Sequence, residues 1–219
     1  MQSERVVCMK KIWSLTKNDL FALWRLNKIL FILLPLYGVG YAFVGSEISF
    51  LSVLAVALGG MIAYNSIAYD ERSGWNRFVL TTAYSRKDYV LGKYLLALTG
   101  ILGGTAILLL SDTAAVLMGR VAPEDRLLSG VPVILVGTML VVSIALPFSF
   151  RYGIEKARLL SYLLIGLLCG MAGILTVFTH ENVFSLDQAL FHTALPLAGA
   201  VLFILSAYIS VQIYSRRAL

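Results

Sequence analysis

Apolar residues in this chain gather into long blocks instead of alternating. Six of the blocks approach or reach bilayer length: roughly Ile29 to Val44, Phe50 to Tyr69, Tyr89 to Met118, Leu127 to Phe150, Leu159 to Thr179 and Ala189 to Tyr214. A helix crosses the hydrocarbon core with about 17 to 25 mainly apolar residues, so the pattern predicts an all-α, polytopic membrane fold with six transmembrane helices. The third block exceeds a simple span and is expected to tilt or to project into water. Between the second and third blocks lies a polar island, residues 70–94, DERSGWNRFVLTTAYSRKDYVLGKY. It carries both charge signs, and its apolar members Trp75, Phe78, Val79 and Thr82 recur at i, i+3, i+4 and i+7. That period predicts a short helix lying on the membrane surface, with Arg72, Arg77, Arg86 and Lys87 facing away from it as a docking surface for a soluble partner.

The segment before the first block has a helical period of its own. Val6, Met9, Trp13, Leu20 and Trp24 fall near one stripe, and Lys10, Lys17, Asn18, Arg25 and Lys28 near the other. An amphipathic helix within residues 1–28, lying in the interface with its tryptophans at headgroup level, is expected; a plain basic flank that sets topology is the simpler reading. Pro35, Pro147 and Pro196 each fall inside a block and permit a kink. Gly166 and Gly170, four residues apart, share a helix face and allow a neighbouring helix to approach closely.

Composition agrees with the blocks: 59% of residues are apolar and 14% charged, and mean hydropathy is +0.83. A water-soluble core of this size cannot hide that much apolar surface, and the chain reads as one transmembrane domain over residues 1–219. All 18 Lys and Arg except Arg120 and Arg126 fall in the N-terminal segment, the island and its exit, the fourth connection (Arg151, Lys156, Arg158) or the tail. The positive-inside rule therefore predicts both termini in the cytoplasm. The net charge of +6 is accounted for by this topology and by attraction to anionic lipid, leaving no reason to expect nucleic acid as a partner. Cys8 falls in the cytoplasmic segment and Cys169 inside the fifth block, so the two cannot face an oxidising compartment together and no disulfide is expected; nor is a cleavable signal peptide.

Candidate chemistry is sparse. Asp112 is the clear intramembrane acid, about two turns inside the outer end of the third block, and charge at that depth is a functional-site hypothesis by default. It meets a cationic substrate, or takes hydrogen bonds from Ser111 and Thr113, or snorkels outward. His180 and His192 lie near the outer surface without other ligands, so no metal site is expected. The chain has no G-x-S-x-G elbow, no H-E-x-x-H and no paired intramembrane acids, and it carries no G-x-x-x-x-G-K-[ST] loop. If transport is energised, the energy comes from another subunit. An ion-driven carrier calls for several midplane ionisable groups, and one peripheral Asp112 argues against it.

An interfacial helix followed by six blocks, with an island YDERSGWNRFVLTTAYSRKDYVLGKY after the second, resembles the membrane-spanning permeases of ABC type-2 exporters over nearly the whole chain. The island is similar to that family's pattern at the acidic pair Asp70 and Glu71, the Gly74-Trp75 step, Ser85-Arg86, and Lys93 at the next span's entry. Within the family, the look is nearest to small bacterial permeases, including those exporting amphipathic peptides such as phenol-soluble modulins. The resemblance implies a half-transporter in the bacterial cytoplasmic membrane. Two copies would pair, and each would recruit a separate ABC ATPase, which binds ATP and Mg, through a coupling segment at residues 70–88. Asp70, Glu71, Arg72, Trp75, Arg77, Phe78, Arg86 and Lys87 would form the ATPase-coupling set, and this chain would hold no cofactor itself.

Three other readings compete. A scaffold or immunity-type protein would hold a peptide without needing the island's charges. A six-span capture subunit of an importer would couple through small-residue helix faces, and a membrane enzyme lacks its constellations here. Apolar walls imply an amphipathic peptide or lipophilic cargo, since a polar solute needs polar groups along its route.

Overall fold

The computed structural model describes residues 2–26, 28–44, 49–82, 84–119, 131–160, 163 and 188–216. In chain order these form α1 (Gln2–Leu26), α2 (Lys28–Val44), α3 (Ser49–Ser73), α4 (Trp75–Phe78), a 3-10 turn (Val79–Thr81), α5 (Arg86–Leu117), α6 (Val131–Tyr152), a helical stretch at 154–160, and α7 (Gln188–Arg216). No strand occurs among the described residues. Three helices among them are long and apolar enough to cross a membrane: Arg86–Leu117, Ile134–Tyr152 and Pro196–Arg216. The expected first and second spans coincide with α2 and α3, whereas most of the expected fifth, together with Gly166 and Gly170, lies outside the described residues. α2 has 17 residues, about 26 Å of helix against a hydrocarbon core of about 30 Å.

α5 is the axis of the molecule, packing against α1, α2, α3, α6 and α7. Its 32 residues make a rod of about 48 Å, longer than a bilayer core, as the length of its apolar block predicted. Val90, Leu96, Ala97 and Ile101 on this helix are fully buried. The broadest contacts are α3 against α5 and α6 against α7. Gly60 makes α3 meet α6: a Cβ there would lie 2.8 Å from Thr138 Cγ2 and 3.1 Å from Val142 Cγ2, so only glycine permits the observed approach. Pro35, Pro147 and Pro196 all lie within continuous helices, consistent with the tolerance of buried membrane helices for proline.

The island does not form the single surface helix that its period predicts. α3 runs on through Asp70 and Glu71 to Ser73. Gly74 then takes a left-handed φ of 72°, a conformation in which other residues are strained. Four residues of helix and one 3-10 turn follow, and the chain leaves helical geometry at Thr82, with ψ −172°. A new helix starts at Ser85, whose hydroxyl accepts from the Asp88 amide while the Asp88 carboxylate accepts from the Ser85 amide. This reciprocal capping box satisfies two orphan donors and fixes the start of α5.

Candidate functional site

Beneath the broken connection lies a buried charge cluster shared by three helices. Ser66 and Asp70 sit one turn apart on α3, Tyr89 and Lys93 one turn apart on α5, and Asp19 faces them from α1. The Lys93 ammonium is 2.6 Å from Asp19 Oδ2, 2.7 Å from Asp70 Oδ2 and 2.7 Å from Ser66 Oγ. Three acceptors thus meet a group with three N–H donors. The Tyr89 hydroxyl donates to the same Asp70 oxygen at 2.7 Å, and Lys93 Nζ sits 5.1 Å from the Tyr89 ring centroid. Lys93 is 1% exposed, Asp70 2% and Asp19 8%. Burial pushes the Asp19 carboxyl up from its ordinary value, against the downward pull of Lys93.

The cluster continues into the other helices through aromatic rings. Tyr89 stacks on Tyr214 of α7 with centroids 5.4 Å apart, and Phe150 of α6 meets Tyr214 edge-on at 5.5 Å. On the other side a cleft of about 470 Å³ opens between α1 and the end of α3, lined by Asn18, Asp19, Arg25, Ser66, Asp70 and Trp75 among others. α1 turns Leu15, Thr16, Asp19 and Leu23 inward and leaves Trp13, Leu20, Phe21 and Trp24 exposed. Trp13, Leu20 and Trp24 of the stripe read from the sequence thus face away from the rest of the chain.

The expected coupling residues divide into two groups. Asp70 is inside the cluster and presents nothing to a partner, because its carboxylate is needed by a buried cation. Glu71 is partly buried and accepts from the Ile154 amide at 2.9 Å, next to Gly153 with φ 84°. Tyr64 holds the same residue by donating to the Ile154 carbonyl at 3.0 Å. Arg86 donates to the Ser215 carbonyl at 2.9 Å, near the end of α7. Trp75 is partly buried against the core and lies 5.4 Å from the Phe78 ring. Arg72, Arg77, Phe78 and Lys87 are exposed, as are Arg151 in the last turn of α6 and Lys156 beyond it. The connection thus leaves the cations Arg72, Arg77 and Lys87 and the Phe78 ring exposed on its outer side, and its inner side is tied to α1, α5, the 154–160 stretch and α7.

Asp112 is 1% exposed, so it does not snorkel. Ser111 donates to the Ile107 carbonyl and Thr113 to the Leu110 carbonyl, at 2.7 and 2.8 Å, and neither hydroxyl proton serves the carboxylate. Asp112 Oδ1 has no hydrogen-bond partner among the described residues. No group of His, Cys, Asp and Glu suited to a metal ion occurs among the described residues.

Asp19 was not singled out from the sequence, and Lys93 only as one position of a motif. A signal was available: Ser66 and Asp70, like Tyr89 and Lys93, are polar pairs at i, i+4 at one end of long apolar helices, which places each pair on one face. No curated protein matches the chain. Residues 14–215 match a family model described as ABC-2 family transporter protein.

Proposed function

Because the chain belongs to the ABC-2 family of transporter proteins, we propose that it is the permease subunit of an ATP-driven exporter, with its ATPase on a separate chain. The observation that carries this reading is the two-sided α3–α5 connection. Its outward face offers Arg72, Arg77, Phe78 and Lys87, and its inward face is fastened to four other parts of the molecule. An ATPase surface with an acidic rim and an apolar pocket for Phe78 complements it. Glu71 and Arg86 then act one step inward, passing movement to the 154–160 stretch and to α7. ATP and Mg belong to the partner, since this sequence has no phosphate-binding loop.

The wider picture follows the same premise. Six spans, both termini in the cytoplasm, a bacterial cytoplasmic membrane and pairing of two copies fit the distribution of apolar blocks and basic residues. The apolar spans favour amphipathic peptides of the phenol-soluble modulin kind, or lipophilic compounds, moved outward from the cytoplasm or inner leaflet. Asp112 is buried, and its Oδ1 has no hydrogen-bond partner among the described residues; it is the acceptor proposed for the cationic group of such a cargo once movement of α5 uncovers it.

The test is co-expression with an ABC ATPase encoded beside the chain, followed by purification in lipid. Arg72→Ala/Arg77→Ala/Phe78→Ala/Lys87→Ala is expected to abolish association while leaving the permease folded. Glu71→Ala/Arg86→Ala is expected to keep association and lose permease-dependent stimulation of hydrolysis. A wild-type chain that recruits no ATPase refutes the reading.

A further inference from the structure

Lys93 is buried, yet it lies where three helices from separate parts of the chain meet. We propose that Lys93 is a positioning residue that makes α1 move together with the coupling segment, its ammonium joining Asp19 of α1 to Asp70 at the foot of that segment. The inference rests on the permease reading, because the displacement it transmits originates at the ATPase.

Asp70 lies three residues before Ser73, where α3 ends and the segment begins. Displacement of the segment therefore reaches Asp70 through less than one helical turn. From there the path is Lys93, 2.7 Å away, and then Asp19, 2.6 Å further. α1 ends at Leu26 and α2 begins at Lys28, so a shift of α1 is delivered to the first span. Two further contacts of α1 with α5, at Thr16 and Leu15, are weaker in direction. Thr16 Oγ1 reaches the Gly92 carbonyl at 3.4 Å while also bonding its own helix at Ile12. Leu15 lies over Gly92, and apolar contact of this kind is non-directional and tolerates sliding. The cleft between α1 and α3 shows that the two helices are not packed along their full length. The ion pairs thus set the register of α1 where packing leaves it open. Tyr89, held to Asp70 and stacked on Tyr214, carries the same displacement toward α7.

The experiment uses the full chain in lipid nanodiscs with its ABC ATPase, Cys8 and Cys169 replaced by Ser, and spin labels at Ser14→Cys on α1 and Thr81→Cys on the segment. Both label sites are exposed. The label-to-label distance is expected to keep its centre and width between the nucleotide-free and vanadate-trapped states. In Asp19→Asn/Asp70→Asn/Lys93→Met, which removes the three charges together, the distribution is expected to shift or broaden on trapping. Permease-stimulated hydrolysis should then be lost although the ATPase still binds. A wild-type distance that changes on trapping overturns the proposal, as does a triple variant indistinguishable from wild type. Failure of the ATPase to co-elute with wild type is seen before any distance is measured, and removes the permease reading and this inference with it.

Discussion

Lys93→Met takes away the cation between Asp19 and Asp70 and leaves both carboxylates buried. The side chains of Lys93, Asp19 and Asp70 are 1%, 10% and 3% exposed, so water does little to replace the lost ammonium. At an effective dielectric of about 20, each contact near 2.7 Å represents about 6 kcal/mol of gross attraction. Desolvation offsets most of that in the intact cluster, and breaking a buried pair by removing one partner costs about 3–5 kcal/mol net. The triple neutral variant Asp19→Asn/Asp70→Asn/Lys93→Met should recover nearly all of this, to within about 1 kcal/mol of wild type, since neither charge is then stranded. The assay is equilibrium unfolding in mixed detergent with increasing dodecyl sulfate, followed by tryptophan emission. The three tryptophans, Trp13, Trp24 and Trp75, lie on α1 and α4, so the signal reports the region where the cluster acts. A Lys93→Met protein within about 1 kcal/mol of wild type, or a triple variant no better than the single one, would refute the reasoning; both magnitudes come from the cost of stranding a buried charge.

Three further outcomes are expected. Burial raises the Asp19 carboxyl above its ordinary value of 3.8, so the folded chain holds this proton more tightly than the unfolded one. The stabilisation is fully present below the ordinary value and is lost as pH rises through the raised one; Asp19→Asn should flatten that slope in a pH series of unfolding midpoints, and an unchanged slope counts against the assignment. Gly60→Ala places a methyl 2.8 Å from Thr138 Cγ2 and should destabilise the α3–α6 contact by about 1–3 kcal/mol in the same unfolding assay. Ser85→Ala removes the acceptor for the Asp88 amide and should cost about 1 kcal/mol, read as faster hydrogen exchange confined to the first turn of α5.

Much of this architecture is written in block length. The apolar runs place α2, α3, α5, α6 and α7, and the excess length of α5 was visible because helix rise per residue is fixed. The island was misread because a 3.6-residue period records which residues are apolar, not whether the backbone stays helical between them. Val79 is buried and Thr82 exposed, although both belonged to the same predicted stripe. The signals that break it, Gly74 and the Ser85-x-x-Asp88 box, are local ones that outweigh the period. Burial of Asp70 was illegible for a different reason. A charged residue at the end of an apolar run is exposed by default, and only the tertiary meeting of Asp19 with Lys93 reverses that default. The family motif marked Asp70 and Lys93 as notable positions but carried no information that they touch.

The order of the cluster along the chain bears on how the protein is made. Asp19 and Asp70 are both synthesised before Lys93. When α5 leaves the ribosome as a mostly apolar helix, its lysine faces an insertion penalty of up to about 3 kcal/mol if it enters lipid alone. Two carboxylates already standing at the membrane give it somewhere to go. Biogenesis is then expected to be directional, with the N-terminal helices acting as a template onto which α5 is received. A rearranged gene that places α5 ahead of α1 and α3 should insert poorly even though its finished contacts would be the same.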